Sequence, residues 1–393
     1  MADTRIQNAI ELMARFAEHT GERDRYLWTD AFAVTNYLSL AEATHEQRFI
    51  DLARALIEQV HHVLGRHRPG AGRTGWISGM SDADAAAHPT SGGLRIGKPQ
   101  DERPPTAPLN ERDEWDRDGQ YFHYLTKWMH ALDQMARATG DLWYNCWSRE
   151  LAATAHRAFV YALLDGSRRM YWKMSIDLSR PLVPSMGQHD ALDGFVTYLQ
   201  LQDTVLPQGS CTAASLDGAV EDFASMLDPD RMTTADPLGI GGLLVDAYRL
   251  AQLGQDPDVL ETSLAAALSG LDEYAGWNLQ LPLQARRRVA FRELGLAIGL
   301  AAVERLRDVA DPQLRPLLAE LEHYVPFRTA LEAFWLQPES QRADSWQEHA
   351  AINTVMLATD LLPDGFLRLH RRRDVSFLNP QGARGPRQPS SSA

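Results

Sequence analysis

The sequence predicts an all-α fold, and more specifically an (α/α)6 toroid of six helical hairpins closed by the N-terminal helix. Three observations predict it. Apolar residues recur at i, i+3, i+4 and i+7 through most of the 393 residues, the spacing that gives a helix one apolar face. Period-2 alternation, the mark of a half-buried strand, is scarce. The helices also fall into pairs, and an unpaired helix at each end of the domain lets the chain close on itself, where an open solenoid would need distinct end caps.

The elements follow in order. Residues 3–19 form an amphipathic helix, and residues 28–43 and 46–66 form a hairpin with a very short link. Residues 119–138 and 141–163 form the second, where Gly140 suits a helix C-cap and Asp141 an N-cap. Residues 189–203 pair with 213–226, residues 236–253 with 256–274 across Gly254, and residues 287–307 with 311–324. The last long helix, 345–361, takes helix 3–19 as its outer partner. Residues 1–375 therefore read as a single domain. Residues 376–393, rich in Pro, Gly, Ser and Arg, read as a disordered tail.

Links between hairpins are long: 67–118, 164–188, 227–235, 275–286 and 325–344. Long loops in a compact domain tend to carry function. They lie where the inner helices begin, which places the site at those N-terminal ends. Within loop 67–113, Arg95, Lys98 and Arg103 are positioned to reach over its mouth, and segment 168–190 to line the opposite wall.

Composition narrows the function. Hydrophobic residues make up 44% and charged residues 23%, an ordinary globular balance. A net charge of −13 argues against a nucleic-acid backbone, which needs a basic surface, and disfavours anionic membranes. No run of 18 apolar residues suggests a membrane span. The N-terminus lacks the basic start and apolar run of a signal peptide, so a cytoplasmic location is expected. Cys146 and Cys211 lack zinc-ligand spacing and read as two separate thiols. No cofactor is expected. His189 with Asp190 and Asp193 lacks a recognised metal-ligand pattern, so no metal is expected either.

The inner helices start at YLWTD (26–30), EWDRDGQYFHY (114–124), MGQHDALDGF (186–195), TTADPLGIGG (233–242), RRRVAFRELG (286–295) and DSWQEHAAIN (344–353). Acids at helix starts have an ordinary explanation in capping and the helix dipole. The group as a whole suggests more, because rings stack on the apolar faces of sugars and charged acceptors bind hydroxyls. Trp28, Trp115, Arg117, Tyr121, His123, Trp172, His189, Arg292, Trp346 and His349 are the expected substrate contacts.

The hairpin pattern resembles the six-hairpin glycosidase-like superfamily over residues 1–375, including the N-acylglucosamine 2-epimerase and cellobiose epimerase group, to which the length is also similar. Trp115–Asp116–Arg117–Asp118 is similar to the WxRD-type segment at an inner-helix start of glucoamylase-like hydrolases. The epimerase pattern of spaced His residues, the trehalase signatures and the Cys/Cys/His zinc set of lanthionine cyclases are absent. So is a DxDD run, since residues 82–85 read Asp-Ala-Asp-Ala.

The resemblance implies a carbohydrate-active enzyme with a sugar-like small-molecule substrate. A glycoside hydrolase needs two carboxyls across the scissile bond. Glu293 and Glu348 are the expected pair, on neighbouring inner helices, followed by Asp190 and Asp118. One alternative is a sugar epimerase or isomerase using His123, His189 or His349 as a base. Another is a non-catalytic sugar- or metabolite-binding protein.

Overall fold

The structure, a computed structural model, describes residues 2–21, 25–70, 72–207, 211, 215–278 and 284–369. The tail expected at 376–393 lies outside the described residues. The chain is mainly helical, and none of its described helices is long and apolar enough to cross a membrane.

Chain order runs α1 (Ala2–His19), α2 (Leu27–Thr44), α3 (Gln47–Leu64), then two short helices, α4 (Asp82–Ala87) and α5 (Glu111–Glu114). Next come β1 (Gln120–Tyr121), α6 (Phe122–Thr139), α7 (Trp143–Phe159) and four short strands: β2 (Val160–Ala162), β3 (Arg168–Met170), β4 (Lys173–Met174) and β5 (Pro181–Val183). They are followed by α8 (Asp190–Asp203), α9 (Asp217–Ser225), α10 (Pro237–Leu253), α11 (Pro257–Asn278), α12 (Ala290–Val309), α13 (Arg315–Glu322) and α14 (Val325–Trp335). The chain then forms α15 (Pro338–Gln341), α16 (Asp344–Gln347), α17 (Ala350–Leu361) and α18 (Asp364–Leu367).

Helix α2 packs against α6, α6 against α8, α8 against α10, α10 against α12, α12 against α17, and α17 against α2. Each of these also packs against a second helix: α2 on α3, α6 on α7, α8 on α9, α10 on α11, α12 on α13 and α14, and α17 on α1. Burial follows position. Every residue of α2 from Leu27 to Ala41 is buried, as a helix enclosed on all sides requires, whereas α3 buries only one stripe. The first helix is pinned by Arg5, which donates to the backbone oxygens of Asp360 and Leu361, both at 3.1 Å.

Helices α10 and α12 approach most closely. A Cβ on Gly241 would stand 2.1 Å from the backbone oxygen of Gly295, and one on Gly299 would stand 2.6 Å from the Cα of Gly241. Larger side chains would force these two helices apart.

The structure corrects several expectations. The helix expected to run to residue 163 ends at Phe159, because the chain turns into the β2–β3 hairpin, paired Val160 to Met170. Loop 164–188 also contributes β4 and β5, and β1, β4 and β5 form a small sheet in that order. Residues 345–361 are broken at His349 into α16 and α17, and loop 325–344 holds α14 and α15. The two cysteines are joined in a Cys146–Cys211 disulfide that ties α7 to the α8–α9 connection. A sequence separation of 65 hides such a pair from spacing rules.

Candidate functional site

A cavity of about 310 Å³ lies among the helices of that closed contact cycle. Trp28 and Phe32 come from α2, His123 and Lys127 from α6, and Asp190 and Asp193 from α8. Gly239, Gly242 and Asp246 come from α10, Gly295 and Ile298 from α12, and Met356 from α17. Trp172 and the segment Gly187–His189 complete the wall. Helical spacing explains these pairs, since residues three or four apart share a face. That is the relation of Trp28 to Phe32, His123 to Lys127, and Asp190 to Asp193.

The charges differ sharply in their surroundings. Lys127 Nζ donates to both oxygens of Asp193, at 2.9 and 2.8 Å, and the Thr126 hydroxyl donates to the same carboxylate. Arg249 donates to Asp246 at 2.9 Å and stands 3.8 Å from Asp193. Burial pushes Asp193 up, but Lys127 and Arg249 outweigh it and hold the carboxyl below its ordinary range. Asp246 is pushed up to about 6, first by burial and then by the charge of Asp193, against Arg249.

Asp190 has no such cation among the described residues. It is 6% exposed, its Oδ2 makes no full hydrogen bond, and its Oδ1 stands 3.8 Å from His123 Nδ1, itself unpartnered. Burial, and next the Asp193 charge, push Asp190 up to about 7 against weaker opposition from the Gly187 backbone and Lys127. A Cβ at Gly187 would stand 2.4 Å from Asp190 Oδ2, so glycine lets this carboxyl lie against the backbone. Burial and the Lys127 charge push His123 down to about 3, leaving a neutral imidazole. Its ring stacks 6.0 Å from Trp172 and lies edge-on, 6.1 Å from Trp28, whose Nε1 also lacks a partner. A buried polar network continues beneath the cavity, from Arg249 to Gln200 at 2.6 Å and from Gln200 to Asp133 at 2.7 Å.

The expected site residues divide. Trp28, His123, Trp172, His189 and Asp190 line the cavity together. His189 Nε2 is engaged by the backbone oxygen of Met232 at 2.7 Å. Tyr121 is buried just behind, 5.2 Å from both His123 and Trp172. Trp115 is 49% exposed and edges onto Trp172 at 5.1 Å. Arg292 reaches the cavity only through Asp236, its 2.8 Å partner.

The other residues have different surroundings. Glu293 is bound by Arg288 at 2.7 Å and by Trp335 Nε1 at 2.8 Å, outside the cavity lining. Glu348 and His349 are exposed, with His349 edged onto Phe291 at 5.5 Å, while Trp346 is buried 5.7 Å from Trp335. Asp118 is fully buried and accepts from Arg95 at 2.9 Å, Arg68 at 3.3 Å and the Gly97 amide at 2.9 Å, so it orders the long loop after α3. Arg117 donates to the Asp101 backbone oxygen at 3.4 Å. The guanidiniums expected over the mouth are committed elsewhere: Arg95 to Asp118, and Arg103 to Glu114 and to the Leu182 oxygen.

Lys127, Asp246 and Arg249 were not among the expected site residues because they lie a turn or more inside α6 and α10, beyond the helix starts. Helical spacing carried the signal: Lys127 lies four residues after His123, and Asp246 four after Gly242. Among the described residues no group of three or more His, Cys, Asp or Glu side chains is placed to hold a metal ion. No protein-family model matches the chain, and comparison with characterised proteins finds no relative.

Proposed function

We propose that this chain is an (α/α)6 toroid of the six-hairpin type whose central cavity binds a small sugar-like ligand and transfers a proton to it from Asp190. The observation that carries the reading is the pairing of two unlike carboxyls one helical turn apart. Asp190 holds a proton near neutrality, and Asp193 is held ionised by Lys127 and Arg249. Neighbouring titratable groups pushed in opposite directions mark an acid and its charged companion. Asp190, His123 and Trp28 bring a carboxyl, an imidazole and an indole to the cavity wall, and Trp172 adds a second indole, the mix of polar and aromatic groups that suits a hydroxyl-rich ligand.

A glycoside hydrolase is the reaction class that uses these parts most directly. Asp190 protonates the leaving group, and Asp193 is the second carboxylate. This assignment replaces the Glu293 and Glu348 pair, since neither side chain lines the cavity. The neutral His123 imidazole, 3.8 Å from Asp190, favours a second reading, a sugar isomerase in which His123 is the base.

The test is a screen of aryl glycosides for hydrolysis and of reducing sugars for deuterium exchange. Asp190→Asn is expected to lower either activity by about 10²–10⁴-fold, the usual contribution of a general acid or base. Glu293→Gln and Glu348→Gln should leave it within a few-fold. His123→Asn should abolish exchange but only weaken hydrolysis. Full activity in Asp190→Asn would overturn the proposal.

A further inference from the structure

The buried charges around the cavity do not balance. Asp190, Asp193 and Asp246 are three buried carboxyls, and among the described residues Lys127 and Arg249 are the two cations that touch them, both engaged with Asp193 or Asp246. The other titratable groups on the lining do not make up the difference. His123 and His189 are kept neutral by burial, and Asp236 is already answered by Arg292. With all three carboxyls ionised the cluster would be one positive charge short, and the shortfall falls on Asp190, which keeps its proton instead. Among the described residues it has no permanently charged cation within ion-pair distance, and it has an oxygen without a full hydrogen bond and a place on the cavity wall. Trp28 and Trp172 line the same cavity. A carboxyl lacking its cation beside aromatic rings is the surrounding that favours a desolvated ammonium, through charge pairing and attraction to the ring faces.

We infer that the cavity takes a ligand bearing a basic nitrogen, an amino sugar or a similar polyhydroxylated amine, with its ammonium on Asp190. The inference rests on the reading of this cavity as the ligand site and of Asp190 as the group that holds a proton there; with an amine ligand that proton passes to nitrogen, and the carboxylate then binds the ligand and does not protonate a leaving group. A neutral amine entering the cavity takes the carboxyl hydrogen. The Asp190 O–H bond breaks, an N–H bond forms, and an ammonium–carboxylate pair remains with no net charge imported. A ligand that enters as ammonium reaches the same state when Asp190 releases its proton to water. A neutral sugar leaves the carboxyl protonated and gains no ion pair, and an anionic sugar adds a negative charge to the cluster.

Isothermal titration of the full-length protein at neutral pH tests this with glucosamine, glucose, glucuronate and methylammonium as probes. Glucosamine is expected to bind at least tenfold more tightly than glucose, with glucuronate weakest. Asp190→Asn should bring the glucosamine-to-glucose ratio near one. Asp246→Asn, which removes one negative charge and leaves Asp190 in place, should also reduce the ratio. Glucose binding as tightly as glucosamine in the wild type would overturn the inference and leave the sugar-site reading intact. Methylammonium binding that depends on Asp190, with no binding of any sugar, would support the charge assignment and overturn the sugar reading. No response to any of the four probes would overturn the inference outright.

Discussion

Asp190→Asn should make the protein more stable at high pH while disabling its site. The carboxyl is raised from 3.8 to about 7, first by burial and then by the Asp193 charge. A group whose folded-state pKa lies above its unfolded value contributes stability that is complete below the unfolded value. That stability is lost as pH rises through the folded value. The window for Asp190 therefore runs from about pH 4 to about pH 7. At about 1.4 kcal/mol per pH unit, the wild type loses about 4 kcal/mol across it from this group alone. Asparagine preserves the shape and carries no charge to desolvate, so the variant escapes the loss. The assay is urea unfolding of both proteins at half-unit steps from pH 4 to pH 8. Taking the difference removes contributions from distant groups such as Asp30 and Glu332, which are also raised. The variant's advantage should grow with pH through the window and flatten towards pH 8, approaching about 4 kcal/mol. A difference that stays flat from pH 4 to pH 8 would refute the argument that Asp190 is a buried carboxyl without a cation.

Four further outcomes follow from the packing. Breaking the Cys146–Cys211 bond by Cys146→Ser should destabilise the fold by roughly 4 kcal/mol on the loop-entropy estimate for a separation of 65, and peptide mapping under non-reducing conditions should recover the linked pair. Gly241→Ala places a methyl 2.1 Å from the Gly295 oxygen and should lower stability by about 1–3 kcal/mol or more, measured by thermal unfolding. Gly242→Ala meets nothing within 4 Å and should be neutral or slightly stabilising while filling part of the cavity and weakening ligand binding. Asp118→Ala strands the Arg95 guanidinium in a buried site and should destabilise the fold by about 3–5 kcal/mol, with a loss of loop protection in hydrogen exchange.

The helical periodicity, the pairing of helices through short links, and the capping glycines Gly140 and Gly254 were legible in the sequence because each depends on residues within a turn or two of one another. So was part of the wall: Trp28, His123, Trp172, His189 and Asp190 were named from their places at or near the inner-helix starts. The short strands were not legible, because two or three residues are too few to establish an alternating pattern. The division of labour among the acids was not legible either. Glu293 and Asp190 both sit in the first turn of an inner helix, and nothing local separates them. The tertiary structure brings Arg288 and Trp335 to Glu293 and leaves Asp190 facing a neutral His123. Asp193 is ionised because Lys127, 66 residues away, reaches it, and Cys146 finds Cys211 across 65 residues. Sequence by itself determined the helices, whose energetics are local. Only the tertiary structure decided which carboxyl lacks a cation, because charge and burial act through space between residues that are distant in the chain.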